Sequence, residues 1–117
     1  MSTIVKQLSF QFAVKIIKIC KRYNKSTSIN RALLIQLLKS GTSIGANIEE
    51  ASAAQSRRDF LTKMYIAFKE AKETNYWLRL FKEVKLISHQ EVDELLEEST
   101  SLINILTAIT KSTKNNL

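Results

Sequence analysis

The feature that most restricts the fold of this chain is its near-complete lack of residues that interrupt helices. It contains no proline and two glycines in 117 residues, whereas average usage would give roughly six and eight. Turn-rich β folds, collagen and Gly/Pro linkers need these residues in quantity. The hydrophobic content of 44% is sufficient for a buried core, and the length suits a single domain. We therefore expect one compact helical domain.

Apolar residues recur at steps of three and four along four segments, which is the period of an amphipathic helix. The segments cover about 2–24, 29–55, 57–85 and 89–111, followed by a polar tail at 112–117. Ser56 with Asp59, and Ser88 with Glu91, have the spacing of capping boxes for the third and fourth helices. With short connections and no strand-like alternation, this pattern predicts an all-α, single-domain, up-down-up-down antiparallel four-helix bundle over residues 1–117.

The same periodicity predicts which residues of each helix face inward. In the first helix they are Val5, Leu8, Phe12, Ile16, Ile19 and Tyr23; in the third, Phe60, Met64, Ala67, Ala71, Thr74, Leu78 and Phe81; in the fourth, Val92, Leu95, Ser99, Leu102, Leu106 and Ile109. The apolar stripe of the first helix also includes Phe10, Val14 and Ile17, and is wider than a peripheral helix needs. This surplus predicts either a contact with another subunit or a deeply buried first helix.

Positive charge is concentrated at the start of the chain. The formal net charge is +7, and residues 1–25 carry six basic side chains and no acid. Four of these cations, at steps of three and four, form a stripe on the first helix that can track phosphates: Lys15, Lys18, Arg22 and Lys25. The alternatives are a solvated face, or a basic helix that lies against the acidic start of the fourth helix. The acids concerned are Glu91, Asp93, Glu94, Glu97 and Glu98.

Residues typical of catalytic and metal sites are scarce. With one histidine, His89, the chain cannot form a di-metal site of the type that uses two Glu-x-x-His motifs. Gly41 and Gly45 are not followed by the Gly-Lys-Ser/Thr of a phosphate loop. Cys20 lies among apolar residues without a nearby His, which does not favour a nucleophile. We expect no catalytic residue, metal or cofactor, and a protein that is not an enzyme.

Signals for export and membrane insertion are also missing. The first residues lack the charged start, apolar run and small-residue cleavage site of a secretory signal. The longest stretch without a charge, 99–110, is shorter than the roughly 18–20 residues of a membrane span. Because a single cysteine also suits a reducing compartment, we expect a cytoplasmic protein with no membrane partner.

The middle of the second helix has an unusual composition for a helix interior. Residues 40–51, SGTSIGANIEEA, include both glycines, each of which costs about 1 kcal/mol relative to alanine. Gly41 and Gly45 lie four apart on one face, which predicts the close approach of a neighbouring backbone. Asn47 and Glu50 adjoin that face and are placed to reach a partner helix.

Two alternatives remain for this helix-packing motif. One is a local kink with polar groups facing solvent. The other is a pocket in which Asn47 and Glu50 meet Glu73 of the third helix, the one arrangement in the chain that would favour an enzyme.

Two segments carry a resemblance to a known family. They are SGTSIGANIEEA at 40–51 and EAKETNYWL at 70–78. With these segments, the chain resembles the bacterial four-helix-bundle family of 23S rRNA intervening-sequence proteins over nearly its whole length. It departs mildly from that pattern at Lys39, where the family commonly has Arg, and at Glu49, where it often has Ala.

The resemblance implies a small helical bundle that assembles as a ring-like homopentamer. It also implies kinship with the accessory proteins of diversity-generating retroelements, which are basic pentameric barrels that bind nucleic acid and the reverse transcriptase. No catalytic residues come with the resemblance. The family name records where some of the genes lie, so it does not make this protein a component of the ribosome.

Two functions are compatible with these features. The first is a non-catalytic oligomeric scaffold that binds RNA or DNA through phosphate electrostatics, with the charge of +7 rising to about +35 in a pentamer. Its expected contact residues are Lys15, Lys18, Arg22, Lys25, Arg57, Arg58 and Lys63. The second is a protein-interaction module whose contact points are the aromatic residues Tyr65, Tyr76 and Trp77.

Overall fold

The computed structural model describes residues 3–23 and 27–117, and within these ranges it contains four helices and no strand. The helices are α1 (Thr3–Tyr23), α2 (Ser28–Ala51), α3 (Arg57–Glu83) and α4 (His89–Asn115). They lie side by side in a single rod-shaped domain of 47 × 20 × 20 Å. The predicted all-α, four-helix fold is confirmed.

Contacts between distant residues give the order and direction of the helices. Around the rod, each helix packs on the next one in the chain, and α4 closes the ring against α1. The end of α1 meets the start of α4 through Arg22 and Glu91, and Asn75 in α3 is hydrogen bonded to Ser99 in α4. Neighbouring helices are therefore antiparallel. Because α1 packs more closely on α2 than on α4, the α1–α4 side is the more open one.

Each helix contributes one row of residues to the core. The predicted rows of α3 and α4 are buried except at their outer ends, where Phe60 and Ile109 are half-buried. One inward prediction in α1 is wrong, since Leu8 remains 38% exposed. Leu8 lies two turns before Lys15 on the flank that faces α4, and on this open side no neighbour covers it fully.

Polar side chains inside the bundle are all satisfied. Ser9, Ser40, Thr74 and Ser99 are buried, and each hydroxyl donates to a backbone carbonyl of its own helix. In the described ranges, no buried side-chain nitrogen or oxygen lacks a hydrogen-bond partner.

The predicted end of the second helix at residue 55 is wrong, because α2 stops at Ala51. Ser56 takes an extended backbone, with φ −153° and ψ 166°, so that its hydroxyl can accept from the N–H of Asp59 at 3.0 Å and cap α3. An extended residue cannot continue a helix, and residues 52–55 form the turn that leads to it.

The predicted polar tail at 112–117 is mostly helical, because α4 continues to Asn115 instead of ending at 111. The hydroxyl of Thr113 donates to the carbonyl of Ile109 at 2.8 Å. Arg57 of α3 donates to the carbonyl oxygen of Asn116 at 2.9 Å. These hydrogen bonds stabilise the last turn of α4. They could not be predicted from the polar composition of residues 112–117.

The turn between α3 and α4 contains a non-glycine residue with a left-handed backbone. α3 ends at Glu83, two residues before the predicted 85, and Lys85 has φ 57°. The N–H of Leu86 donates to the carbonyl of Phe81 at 3.0 Å, and that of Lys85 to the carbonyl of Lys82 at 3.2 Å. This is a Schellman motif, in which the left-handed position is usually glycine.

Tyr23 joins the end of α1 to the start of α4. Its hydroxyl accepts from the N–H of Ser88 at 3.2 Å and donates to Oε1 of Glu91 at 2.8 Å. Ser88 is the N-cap of α4 and its hydroxyl also donates to Glu91. These bonds fix the end of α1 against the start of α4.

Candidate nucleic-acid interface

The basic stripe predicted on α1 lies beside the acidic start of α4. Nζ of Lys15 is 2.9 Å from Oε1 of Glu94 and 3.0 Å from Oε2 of Glu98. Hydrogen bonds to Glu94 and then Glu98 raise the pKa of Lys15 above its ordinary value. Arg22 pairs with Glu91. The geometry therefore agrees with the alternative in which the basic helix leans on α4.

The other two cations of this stripe are Lys18 and Lys25. Lys18 is exposed and has no ion pair in the part of the chain that the structure describes, whereas Lys25 lies outside the described residues. Lys15, Lys18 and Arg22 line a small cleft of about 170 Å³ between α1 and α4, together with Glu91 and Glu94. A phosphate entering this cleft would meet carboxylates as well as cations.

The second predicted basic group, at the start of α3, is also only partly available. The side chain of Arg57 is bound to the carbonyl of Asn116. Nζ of Lys63 is 2.9 Å from Oε1 of Glu50, and this hydrogen bond raises the pKa of Lys63. Arg58 is exposed and makes no ion pair within the described ranges.

The two glycines of the α2 motif face α1. A Cβ at Gly41 would lie 3.0 Å from both Cγ1 and Cγ2 of Ile16, which is fully buried. At Gly45, the nearest atoms to a Cβ would be the backbone oxygen and the hydroxyl of Ser9, both at 3.4 Å. The absence of these side chains lets α1 and α2 approach each other closely.

The polar residues of the same motif make separate contacts. Asn47 donates to the carbonyl of Ser43 in its own helix at 2.8 Å, while Glu50 reaches α3 through its ion pair with Lys63. Glu73 accepts from the indole N–H of Trp77 at 3.1 Å. Among the described residues, no hydrogen bond joins Asn47, Glu50 and Glu73 to one another.

A basic and aromatic row on the solvent side of α3 was not among the predicted sites. It advances from Arg58 by steps of four and three, the same steps as the buried row on the opposite side of the helix. We call it the α3 outer row: Arg58, Thr62, Tyr65, Lys69, Lys72, Tyr76 and Arg79. All seven side chains are exposed, four are cations and none is acidic. Counting by fours and threes from Arg58 instead of Phe60 would have found it.

Each tyrosine of the α3 outer row has a cation beside its ring. Nζ of Lys69 is 5.9 Å from the ring centroid of Tyr65, and Cζ of Arg79 is 5.8 Å from that of Tyr76. The two tyrosines are 51% and 47% exposed, so both remain accessible to a ligand. Cations next to exposed aromatic rings are the combination with which proteins hold phosphates and stack bases.

A groove of about 740 Å³ extends from this row toward α4. We call it the α3–α4 groove, and it is lined by Leu61, Thr62, Tyr65, Ile66, Phe68, Lys69, Thr107, Thr110, Lys111 and Lys114. The rings of Tyr65 and Phe68 lie 5.7 Å apart at an angle of 40°. Three lysines and no acidic residue line the groove.

A different surface, between α1 and α2, is apolar. Phe10 is 67% exposed and Ile35 is 53% exposed. We call this the α1–α2 face; it contains a groove of about 360 Å³ lined by Ile17, Cys20, Lys21, Arg31, Leu34, Ile35 and Leu38, and Phe10 lies two turns before Ile17 on α1. The thiol of Cys20 lies at the bottom, 3.7 Å from the carbonyl oxygen of Leu34, and burial raises its pKa to about 11. It is therefore a neutral thiol at physiological pH.

The described residues contain neither a metal-ion cluster nor a membrane-spanning helix. Among residues 3–23 and 27–117, no group of three His, Cys, Asp or Glu side chains is arranged to hold a metal ion. No helix in the described part of the chain is long and apolar enough to span a bilayer.

Comparison with known proteins agrees with the resemblance in sequence. The family model described as 23S rRNA-intervening sequence protein matches residues 1–108. Among curated proteins, none matches the chain. A crystal structure at 1.70 Å of a protein with unknown function, from the S23 ribosomal protein family of Bacteroides thetaiotaomicron, is 41% identical. The match covers 92% of this chain and 98% of that one, with a TM-score of 0.83. This chain therefore belongs to the family of 23S rRNA-intervening sequence proteins.

Proposed function

We propose that this protein is a non-catalytic oligomeric scaffold that binds RNA or DNA through the α3 outer row, as part of a ribonucleoprotein or a similar assembly. The observation that carries the proposal is the composition of that row, which contains four exposed cations and two exposed tyrosines and no acid. Lysine and arginine bind phosphates and release condensed counterions, which gives affinity without sequence preference. Exposed aromatic rings add stacking to that electrostatic attraction.

The distribution of ion pairs supports this choice of surface. In the described ranges, six of the eleven acids are engaged with five cations, namely Lys6, Lys15, Arg22, Lys63 and Lys82. The net charge of +7 therefore comes mainly from the cations that are not in these ion pairs. Binding to the α1 stripe would require Lys15 and Arg22 to leave their carboxylates, whereas the cations of the α3 outer row need no such exchange.

The α1–α2 face supports the oligomeric part of the proposal. The exposed Ile35 lines its apolar groove and Phe10 is exposed on α1, and interfaces between identical subunits are more apolar than the rest of a protein surface. A homopentamer, as the resemblance implies, would bring five α3 outer rows into one particle. Multi-angle light scattering should then give about five times the 13.4 kDa of one chain, and Ile35→Lys should lower that mass.

The salt dependence of binding tests the nucleic-acid function. The wild-type protein and two double variants would be titrated against a fluorescein-labelled RNA or DNA duplex across a salt series. Arg58→Gln with Lys72→Gln removes two charges from the α3 outer row. Lys39→Gln with Lys85→Gln removes the same charge from α2 and from the turn between α3 and α4, where both lysines are exposed and unpaired in the described ranges.

We expect the first double variant to bind more weakly and to flatten the plot of log K against log salt by about 1.8, because each lost phosphate contact removes about 0.9. The control variant should change this slope much less. If the wild-type protein does not bind at low salt, the proposed nucleic-acid function is wrong. If both double variants lose the same affinity, the assignment of binding to the α3 outer row is wrong.

A protein-interaction module is the second candidate, and the apolar α1–α2 face favours it. In that case the basic surface would serve solubility or an acidic partner, and the target would be another protein; a reverse transcriptase is the partner that the resemblance implies. A partner that stays bound in a pull-down after nuclease treatment, and is lost with Phe10→Ser, would favour this candidate over nucleic-acid binding.

A further inference from the structure

The α3–α4 groove combines positive charge on both walls with an aromatic floor. Lys69 lies on the α3 wall and Lys111 and Lys114 on the α4 wall. All three are exposed, and none has an ion pair in the described ranges. A polyanion lying along the groove would therefore meet cations on either side and no opposing carboxylate.

The floor of the groove is suited to a flat apolar group. The rings of Tyr65 and Phe68 are tilted neighbours, and Tyr65 is half exposed at the mouth whereas Phe68 is more deeply set. In a duplex, the faces of the bases are covered by their neighbours in the stack. An unpaired base can instead lay its face on an aromatic side chain, and such stacking tolerates any base.

The threonines of the groove present acceptors, not donors. The hydroxyls of Thr62, Thr107 and Thr110 each donate to a backbone carbonyl of their own helix, at 3.0, 2.7 and 2.9 Å. Their oxygens keep lone pairs that can accept from the amino or imino groups of a base, or from a ribose hydroxyl. A phosphate has no hydrogen to donate to these oxygens. In a bound strand the lysines would therefore contact phosphates, and the threonines would contact bases and sugars.

We propose that the α3–α4 groove binds a single strand of nucleic acid, with a base stacked on Tyr65 and the flanking phosphates beside Lys69, Lys111 and Lys114. This inference rests on the proposed nucleic-acid function and adds to it that the ligand is single-stranded. Because a duplex cannot offer an unpaired base, it contacts only the charged rim of the groove.

The test compares single strands with a duplex in fluorescence anisotropy at low salt. The probes are labelled oligouridine and oligothymidine, both longer than the roughly 4–16 nucleotides of one single-strand site, and a DNA duplex of the same length. The variants are Tyr65→Ala and, as the matched control that keeps the ring, Tyr65→Phe. Because Tyr65 is exposed, both should melt like the wild type.

We expect Tyr65→Ala to weaken binding of the single strands by about 5- to 100-fold, while Tyr65→Phe binds them like the wild type and neither change affects the duplex by more than about twofold. Lys111→Gln with Lys114→Gln should flatten the salt dependence for single strands by about 1.4, at about 0.7 for each phosphate contact.

Two results would overturn the proposal in distinguishable ways. If the wild-type protein binds single strands and duplex, but Tyr65→Ala weakens neither or both equally, the groove is not a single-strand site and the general nucleic-acid function stands. If the wild-type protein binds none of the probes, the proposed function itself fails.

Discussion

Gly41 and Gly45 differ in what an added methyl group would meet, and we expect alanine to stabilise the protein at Gly45 and not at Gly41. At Gly45 a Cβ would have its nearest neighbours at 3.4 Å, an ordinary contact. At Gly41 it would lie 3.0 Å from two carbons of Ile16. Ile16 is fully buried, so it cannot withdraw unless α1 moves.

The magnitudes follow from two opposing terms. Alanine is preferred over glycine inside a helix by about 1 kcal/mol, so Gly45→Ala should raise the free energy of unfolding by up to about 1 kcal/mol. Forcing an extra carbon into a packed core costs about 1–3 kcal/mol. Gly41→Ala should therefore leave stability unchanged or lower it by up to about 2 kcal/mol.

Urea unfolding at one fixed protein concentration measures both variants, so that any linkage to assembly is held constant. A double-mutant cycle with Ile16→Ala isolates the close contact. That change alone should cost about 2–5 kcal/mol. In its background Gly41→Ala no longer meets the isoleucine carbons, and it should become stabilising by about 1 kcal/mol.

The close approach of α1 and α2 would be refuted if Gly41→Ala stabilised the wild-type protein as much as Gly45→Ala does. A coupling energy near zero between positions 41 and 16 would refute it equally. Leucine at either position should disrupt folding or assembly more than any change of a surface lysine.

Three further substitutions and treatments test separate features. Lys85→Gly should raise stability by about 0.5–1 kcal/mol in thermal melts, because φ is 57° there, and Lys85→Ala, which also removes the charge, should not. Since burial raises the pKa of Cys20 to about 11, its thiol should react with a disulfide reagent at pH 8 at least about 10-fold more slowly than a free cysteine peptide, because the smaller thiolate fraction outweighs the higher nucleophilicity of that thiolate. The stability that this neutral thiol contributes should be lost as pH rises from the unfolded value of about 8.5 through 11. Burial, and then Glu73, raise the pKa of Glu70, so its ionised form is disfavoured in the fold; Glu70→Gln should increase stability in urea at pH 7, and less so at pH 4.

The fold could be predicted because apolar spacing alone determines which face of each helix is buried. The row from Met64 to Phe81 is an example, since every predicted position within it is buried. Helix ends were harder to predict. Residues 52–55 include good helix formers, but the cap that Ser56 provides for α3 outweighs their propensity.

The sequence predicts that the candidate site is basic, but it does not predict which of the basic residues are free of carboxylates. Lys15, Lys18 and Arg22 form a basic stripe in the sequence, but whether such a stripe is free depends on the helix beside it, and here Lys15 and Arg22 meet carboxylates of α4. Arg58 and Lys69 belong to a row whose spacing is visible in the sequence, yet its exposure follows only from where the buried row of α3 lies.

Photo-crosslinking with a 4-thiouridine RNA, followed by mass spectrometry of the peptides, is the most direct test of the α3 outer row as the nucleic-acid surface. The reagent reports directly which side chains touch the bases in the bound complex. We expect adducts on Tyr65 and Tyr76, and their suppression by unlabelled RNA. Adducts confined to α1 around Lys15 and Lys18, or no specific adduct at all, would contradict the assignment.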